Sequence, residues 1–335
     1  MKKLVIIWLF FVGLSQVHGQ DVHFSQFLYS PFTINPALTG NFDGRYRFGF
    51  NYKQQWRSIS APFRTTALWA DSRQFLNLEK TNAGIHFYYD MAGTSEYNTL
   101  SFSIPLSFQV FTSGNKKHSI NLGVQPSFIS QSINRDKLTS DAQWNGNKFD
   151  PNAPINEDIS FESANSIDLA LGVSYRLTKN KWDVTTGFSV YNLITPKTPF
   201  AGPAQKSEIP FRYNAHLGAK IDLNEKWFLT PGIIYSRQAK FHEIVFGTEF
   251  NYVLNNNPYR YRVIFLGFWD RGVDAGITNI GMYYNNWRVG MGYDVNYSPL
   301  KTASDYRGGW ELSVIYILRD VLPKRTNFKN CPNYI

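Results

Sequence analysis

The sequence predicts an all-β fold: a transmembrane antiparallel β-barrel of about 14 strands, with an N-terminal plug-like segment and a short C-terminal tail. Three observations predict it. Apolar and polar residues alternate in long segments along most of the chain. After residue 19 no run approaches the roughly 20 apolar residues that a spanning helix needs. The connections between alternating segments are mostly short at one end, and the two longest fall at the other.

Residues 1–19 read as an export signal. Lys2 and Lys3 precede the apolar stretch Leu4 to Leu14, which is too short to span a bilayer, and Gly19 offers a small residue at the cut. The mature chain is expected to begin at Gln20. Residues 20–43 suit neither a strand nor an amphipathic helix. Their five aromatics, Phe24, Phe27, Tyr29, Phe32 and Phe42, predict ordered packing, within the lumen or beneath the barrel mouth.

The barrel is expected over 44–318, with strand cores at 44–55, 63–74, 82–91, 97–110, 117–130, 164–177 and 181–193, then 210–222, 226–238, 241–254, 258–268, 273–283, 286–297 and 309–318. Successive side chains of a strand point to opposite faces, so alternation marks two environments. Ile167, Leu169, Leu171, Val173 and Tyr175 alternate with Ser166, Asp168, Ala170, Gly172 and Ser174. A soluble sandwich also alternates, but its polar face is rich in charge. Here charged residues make up only 18%, the polar face is mainly Ser, Thr, Asn and Gly, and aromatics reach 17%. That is the inverted pattern of a barrel with lipid outside and a polar interior. Closure leaves no unpaired backbone edge in hydrocarbon.

With both ends of the barrel periplasmic, every even connection should be short. Thr178–Asn180, Asn224–Glu225 and Tyr284–Asn285 fit, and the long odd connections 131–162 and 194–209 would be external. The short odd connection at Ala239–Lys240 does not fit. Residues 319–335 form a basic tail expected in the periplasm.

The single cysteine excludes a disulfide framework or a multi-cysteine metal cluster. His23, His86, His118, His216 and His242 form no local catalytic or metal-binding arrangement, and His216 falls on the lumen face. Loop 131–162 is acidic, but its spacing matches no EF-hand. No enzyme activity, cofactor or metal is assigned, and no nucleic-acid motif is present. Trp144, Phe149 and Phe200, in the long loops, are the candidate partner contacts.

The order and spacing of several segments resemble the PorP/SprF family of Bacteroidetes outer-membrane proteins. These are Phe24 to Gly40 (FSQFLYSPFTINPALTG), Gln55-Trp56 followed by Pro62, Gly84 to Gly93, Gly187 to Leu193, and the closing Cys331-Pro332-Asn333-Tyr334. The family usually closes with a basic residue where Asn333 stands. The resemblance singles out Phe24, Phe27, Asn35 and Pro36 in the N-terminal segment and Cys331, Pro332 and Tyr334 in the tail. It implies an outer-membrane accessory of the type IX secretion system, linked to gliding motility. Its expected partners are a secreted adhesin or its C-terminal domain, other secretion components, and outer-membrane lipid. The competing expectation is a diffusion channel or hydrophobic-substrate transporter.

Overall fold

The computed structural model describes residues 23–55, 61–115, 117–155, 163–196, 208–257, 260–272, 274–298 and 306–319. Fifteen strands form one antiparallel sheet that closes where the first strand pairs with the last. They are β1 (Tyr46–Gln55), β2 (Phe63–Ser72), β3 (Thr81–Ala92), β4 (Tyr97–Ser103) and β5 (Leu106–Thr112). Next come β6 (His118–Ser132), β7 (Ser163–Lys179), β8 (Trp182–Tyr191), β9 (Arg212–Asp222) and β10 (Trp227–Gln238). The last are β11 (Phe241–Asn255), β12 (Arg262–Arg271), β13 (Ala275–Tyr284), β14 (Trp287–Asn296) and β15 (Arg307–Leu318).

The count of 15 reconciles with 14 barrel positions because β4 and β5 occupy one position between β3 and β6. The reading of 97–110 as one strand is refined accordingly. Pro105 has no N–H for the ladder, so pairing lapses at Ile104–Pro105 and resumes without change of register. Ser103 faces Ser127 before the lapse, and Leu106 faces Val124 after it.

Side chains sort inside out. Leu171 is 47% exposed and Ile167 64%, while Asn51, Glu249 and Ser313 are wholly buried. The apolar phase faces outward and the polar phase inward, as a lipid-embedded barrel requires. Trp182, Trp227, Tyr284 and Trp287 ring one end of the exterior, and Trp227–Tyr252 and Trp287–Tyr316 pair there at 4.8 and 4.7 Å. This is the end of the short turns 180–181 and 285–286, where Asn180 and Asn285 adopt positive φ, as Asn tolerates. It is the periplasmic end by the rule that short turns face inward. The outer end carries the connections after β6, β8 and β14, and also the tight turn Ala239–Lys240, with Ala239 at φ 52°.

Candidate functional site: the plugged lumen

Residues 23–43 lie inside the barrel. Three short 3₁₀ turns, Phe27–Tyr29, Pro31–Thr33 and Pro36–Leu38, fold the segment. Pro31 and Pro36 each start a turn, a position that needs no N–H. Asn35 caps the last turn by accepting from the Ala37 N–H at 2.9 Å. The segment therefore satisfies part of its own backbone, and the polar wall bonds further groups of it.

Its path crosses the lumen from end to end. At the outer end the Lys53 ammonium donates to the His23 carbonyl at 2.9 Å, and His23 Nε2 lies 3.4 Å from Glu243. At the inner end Arg176 donates to Asn41 at 3.1 Å and pairs with Asp43 and Asp183.

Two buried charge clusters hold the first half. The Glu311 carboxylate accepts from the Ser25 and Gln26 N–H groups at 2.7 and 3.0 Å. Ser25 Oγ also donates to Asp294 at 2.8 Å, and Arg271 bonds both Asp294 at 2.9 Å and Ser25 Oγ at 2.6 Å. Deeper in, Tyr29 donates to Glu249, which also accepts from Asn279 at 2.7 Å and Arg288 at 3.0 Å. The Arg288 guanidinium stacks on the Tyr29 ring. Burial is tolerable because Asp294 and Glu249 pair with Arg271 and Arg288 and make further hydrogen bonds, while Glu311 is held by two backbone N–H groups.

The second half sits on glycines. Gly123 of β6 pairs with Gly172 of β7. A Cβ on Gly123 would come 2.2 Å from the Ala37 nitrogen, and one on Gly172 would come 2.0 Å from Asn35 Oδ1. Into that space Asn35 donates to the Val173 and Phe188 carbonyls at 2.9 and 3.2 Å, and it lies 3.2 Å from His216 Nε2. Ser174 donates to Ala37 O, Tyr191 to Phe32 O, and Asn214 to Ile34 O. Past the turns, Gly40 at φ +71° donates its N–H to Asp71 at 2.8 Å, and Arg47 grips the same carboxylate with two bonds of 2.9 Å. Phe27 meets Trp269 edge-on at 5.2 Å and Phe32 meets Trp69 at 5.6 Å, giving two small apolar clusters inside a polar lumen.

The candidates named from sequence separate cleanly. Phe24, Phe27, Asn35 and Pro36 come together in the plug, all buried. Trp144 and Phe149 are exposed and form a β-bridge in the loop after β6. Glu96 and Asn134 tether that loop to the β3–β4 turn, with Lys137 paired to Glu96. Phe200, Cys331, Pro332 and Tyr334, the signal segment 1–19 and the tail from residue 320 lie outside the described residues. The sequence did not single out the wall residues that grip the plug: Gly123, Gly172, Asp71, Glu249, Arg271, Arg288 and Glu311. Their one sequence signal is that each charge sits on the polar phase of its strand.

A closed barrel with an apolar exterior, an aromatic ring at its inner end and a polar, plugged lumen is an integral outer-membrane protein. Residues 16–316 match the family described as type IX secretion system membrane protein PorP/SprF, and the chain belongs to that family. None of the curated proteins compared matches it. Among solved structures, the Ralstonia pickettii toluene transporter TbuX is similar at 8% identity over 86% of this chain and 92% of its own, with a TM-score of 0.50, which shows a shared fold. The P. putida toluene transporter TodX has 10% identity over 84% of this chain and 92% of its own, with a TM-score of 0.46. CdiB from Acinetobacter baumannii has 8% identity over 81% of this chain and 60% of its own, with a TM-score of 0.40.

Proposed function

We propose that this type IX secretion protein helps to export or retain a secreted surface adhesin by binding the adhesin's C-terminal domain at the outer mouth. The observation that carries the reading is the plug, gripped over the height of the lumen by buried charges and a glycine seat. A diffusion channel needs a clear path, whereas a barrel crossed by a gripped plug is a rigid platform for binding. Trp144 and Phe149, exposed on a tethered outer loop, supply aromatic anchors of the kind that dominate protein interfaces. Phe200, in the other long outer loop, is proposed to join them. The tail, with Cys331, Pro332 and Tyr334, is proposed to meet other secretion components in the periplasm.

The test is gentle extraction of the tagged protein from its own outer membrane, followed by mass spectrometry of what co-purifies. A large secreted protein with a shared C-terminal domain, lost on Trp144→Ala with Phe149→Ala, supports the reading. A barrel that purifies alone and conducts ions or small hydrophobic solutes in a bilayer replaces it with the channel.

A further inference from the structure

The plug does not meet the wall everywhere. Between it and β8–β10 lies a cavity of about 290 Å³. Leu28, Ile34 and Leu38 line it from the plug, and Gly218, Phe228 and Tyr283 from the wall. The lining is more apolar than polar, and Tyr29, bonded to Glu249, and His216, beside Asn35, also border it. Gly218 keeps it open: a Cβ there would have one neighbour within 4 Å, the Leu28 Cδ2 at 3.3 Å.

The cavity has a polar end. It widens toward the periplasmic mouth, where two clefts of about 620 and 480 Å³ share Lys220 with it. Arg47 and Arg176 also reach this end, but each is committed to an aspartate, Asp71 and Asp183. Lys220 is different. Its ammonium sits 4.8 Å above the Phe228 ring, and its partner Asp222 lies 3.4 Å away with both side chains about half exposed. Such a pair is weakly held and leaves the ammonium available to an anion.

The adjacent wall is thinly bonded. The β9–β10 ladder pairs Asp222 with Phe228 and Ile221 with Leu229, then resumes only at Gly218 with Gly232. Pro231, in the gap, has no N–H to offer. The lapse lies one strand-turn above Trp227, on the hydrocarbon side of the inner aromatic ring.

We propose that this cavity binds the acyl chain of a membrane amphiphile, with its carboxylate or phosphate end at Lys220. The apolar lining takes the chain, the cation takes the head, and the ladder lapse beside the inner leaflet gives the chain a short way in. The proposal stands independently of any adhesin partner.

The test uses the full mature chain reconstituted in vesicles. One preparation contains a diazirine-bearing palmitic acid, and the other contains phosphatidylethanolamine with the diazirine on one acyl chain. After irradiation, cross-linked peptides are mapped by mass spectrometry. Labelling of Leu28, Leu38 or Phe228, at least tenfold weaker in Gly218→Leu and weakened in Lys220→Gln, is the expected result. Labelling from the free acid alone identifies a fatty acid as the ligand, and labelling from the phospholipid identifies a membrane lipid. Leu28→Phe fills the same space from the plug side, and it replaces Gly218→Leu if that variant loses the heat-modifiable gel mobility of a folded barrel. Labels confined to lipid-facing residues such as Ile233, or plug labels unchanged in the filled variant, overturn the proposal.

Discussion

Asn35 occupies the space that a side chain on Gly172 would need: a Cβ at Gly172 would lie 2.0 Å from Asn35 Oδ1 and 3.1 Å from Pro36 Cδ. The two residues are 137 positions apart in the chain, and the wall lacks a side chain where the plug presents one. Gly172→Ala is therefore expected to unseat the plug. Overpacking of this kind costs about 1–3 kcal/mol. Asn35→Ala forfeits its bonds to Val173 and Phe188 and the Ala37 cap, about 1–3 kcal/mol by a different route. The double variant relieves the clash, so it should lose less than the sum of the two single losses. Protease sensitivity of residues 23–43 in reconstituted protein measures all three, and strict additivity would refute the contact.

At the outer end, Arg271 shares Ser25 and Asp294 in one buried cluster. Arg271→Ala strips a buried carboxylate of its cation, a change that costs about 3–5 kcal/mol. The loss should appear at the plug, because Ser25 is bonded through that cluster. With Cys331→Ser to remove the native thiol, Ser25→Cys is buried and should resist a maleimide in an otherwise unaltered barrel. It should react readily once Arg271 is replaced. Equal labelling in both backgrounds would show that the cluster does not hold the plug.

Alternation made much of this architecture legible, because facing in a strand is a local property. Leu171, Phe48 and Tyr213 face lipid, and Asn51, Ser174 and His216 face the lumen, each in the phase its neighbours set. The interruption at Pro105 was hidden by that same regularity. Leu100, Phe102, Ile104, Leu106 and Phe108 keep one phase across it, and the register is unchanged on both sides. The plug was harder to read. The aromatics of 20–43 announced packing but not its partner, since Tyr29 meets Glu249 and Asn35 meets Gly172 only after closure brings distant strands around them. A glycine on the lumen phase reads the same whether it seats a plug or merely relieves a curved sheet. That ambiguity is why Gly123 and Gly172 carried no functional signal.

Leu171 offers the sharpest test of facing. It lies midway along β7, 47% exposed, between Ala170 and Gly172 on the lumen phase. Leu171→Arg places a cation on the lipid face near mid-bilayer, at about 2–4 kcal/mol. Folding into vesicles, followed by the heat-modifiable gel shift, should fall for this variant. Wild-type insertion would mean that the strand is turned the other way.

The outer loop carries a pH dependence of known sign. Hydrogen bonds from Lys137, and then from Asn134, hold the Glu96 carboxyl below its ordinary value of 4.5. A group whose pKa is depressed on docking stabilises the docked form above its undocked value and loses that effect as pH falls through the docked one. The loop should therefore stay tethered at neutral pH and loosen below 4.5. Trp144 fluorescence or loop proteolysis followed against pH should show that release. In Lys137→Gln the acid limb should move up toward the ordinary carboxylate range, and an unshifted profile would remove Glu96 from the tether.

The plug's direction also fixes where the mature chain should begin in space. His23 is bonded at the outer end, through Lys53 and Glu243. If export removes residues 1–19, the new terminus at Gln20 lies three residues from His23. Three extended residues reach about 11 Å at most, far short of a hydrocarbon core about 30 Å thick. The mature N-terminus should therefore face the cell exterior, although the barrel's first strand starts at the periplasmic end. Intact-protein mass spectrometry should give a chain starting at Gln20. An epitope inserted after Gly19 should be stained by antibody on unbroken cells, and staining only after the outer membrane is opened would reverse the path assigned to the plug.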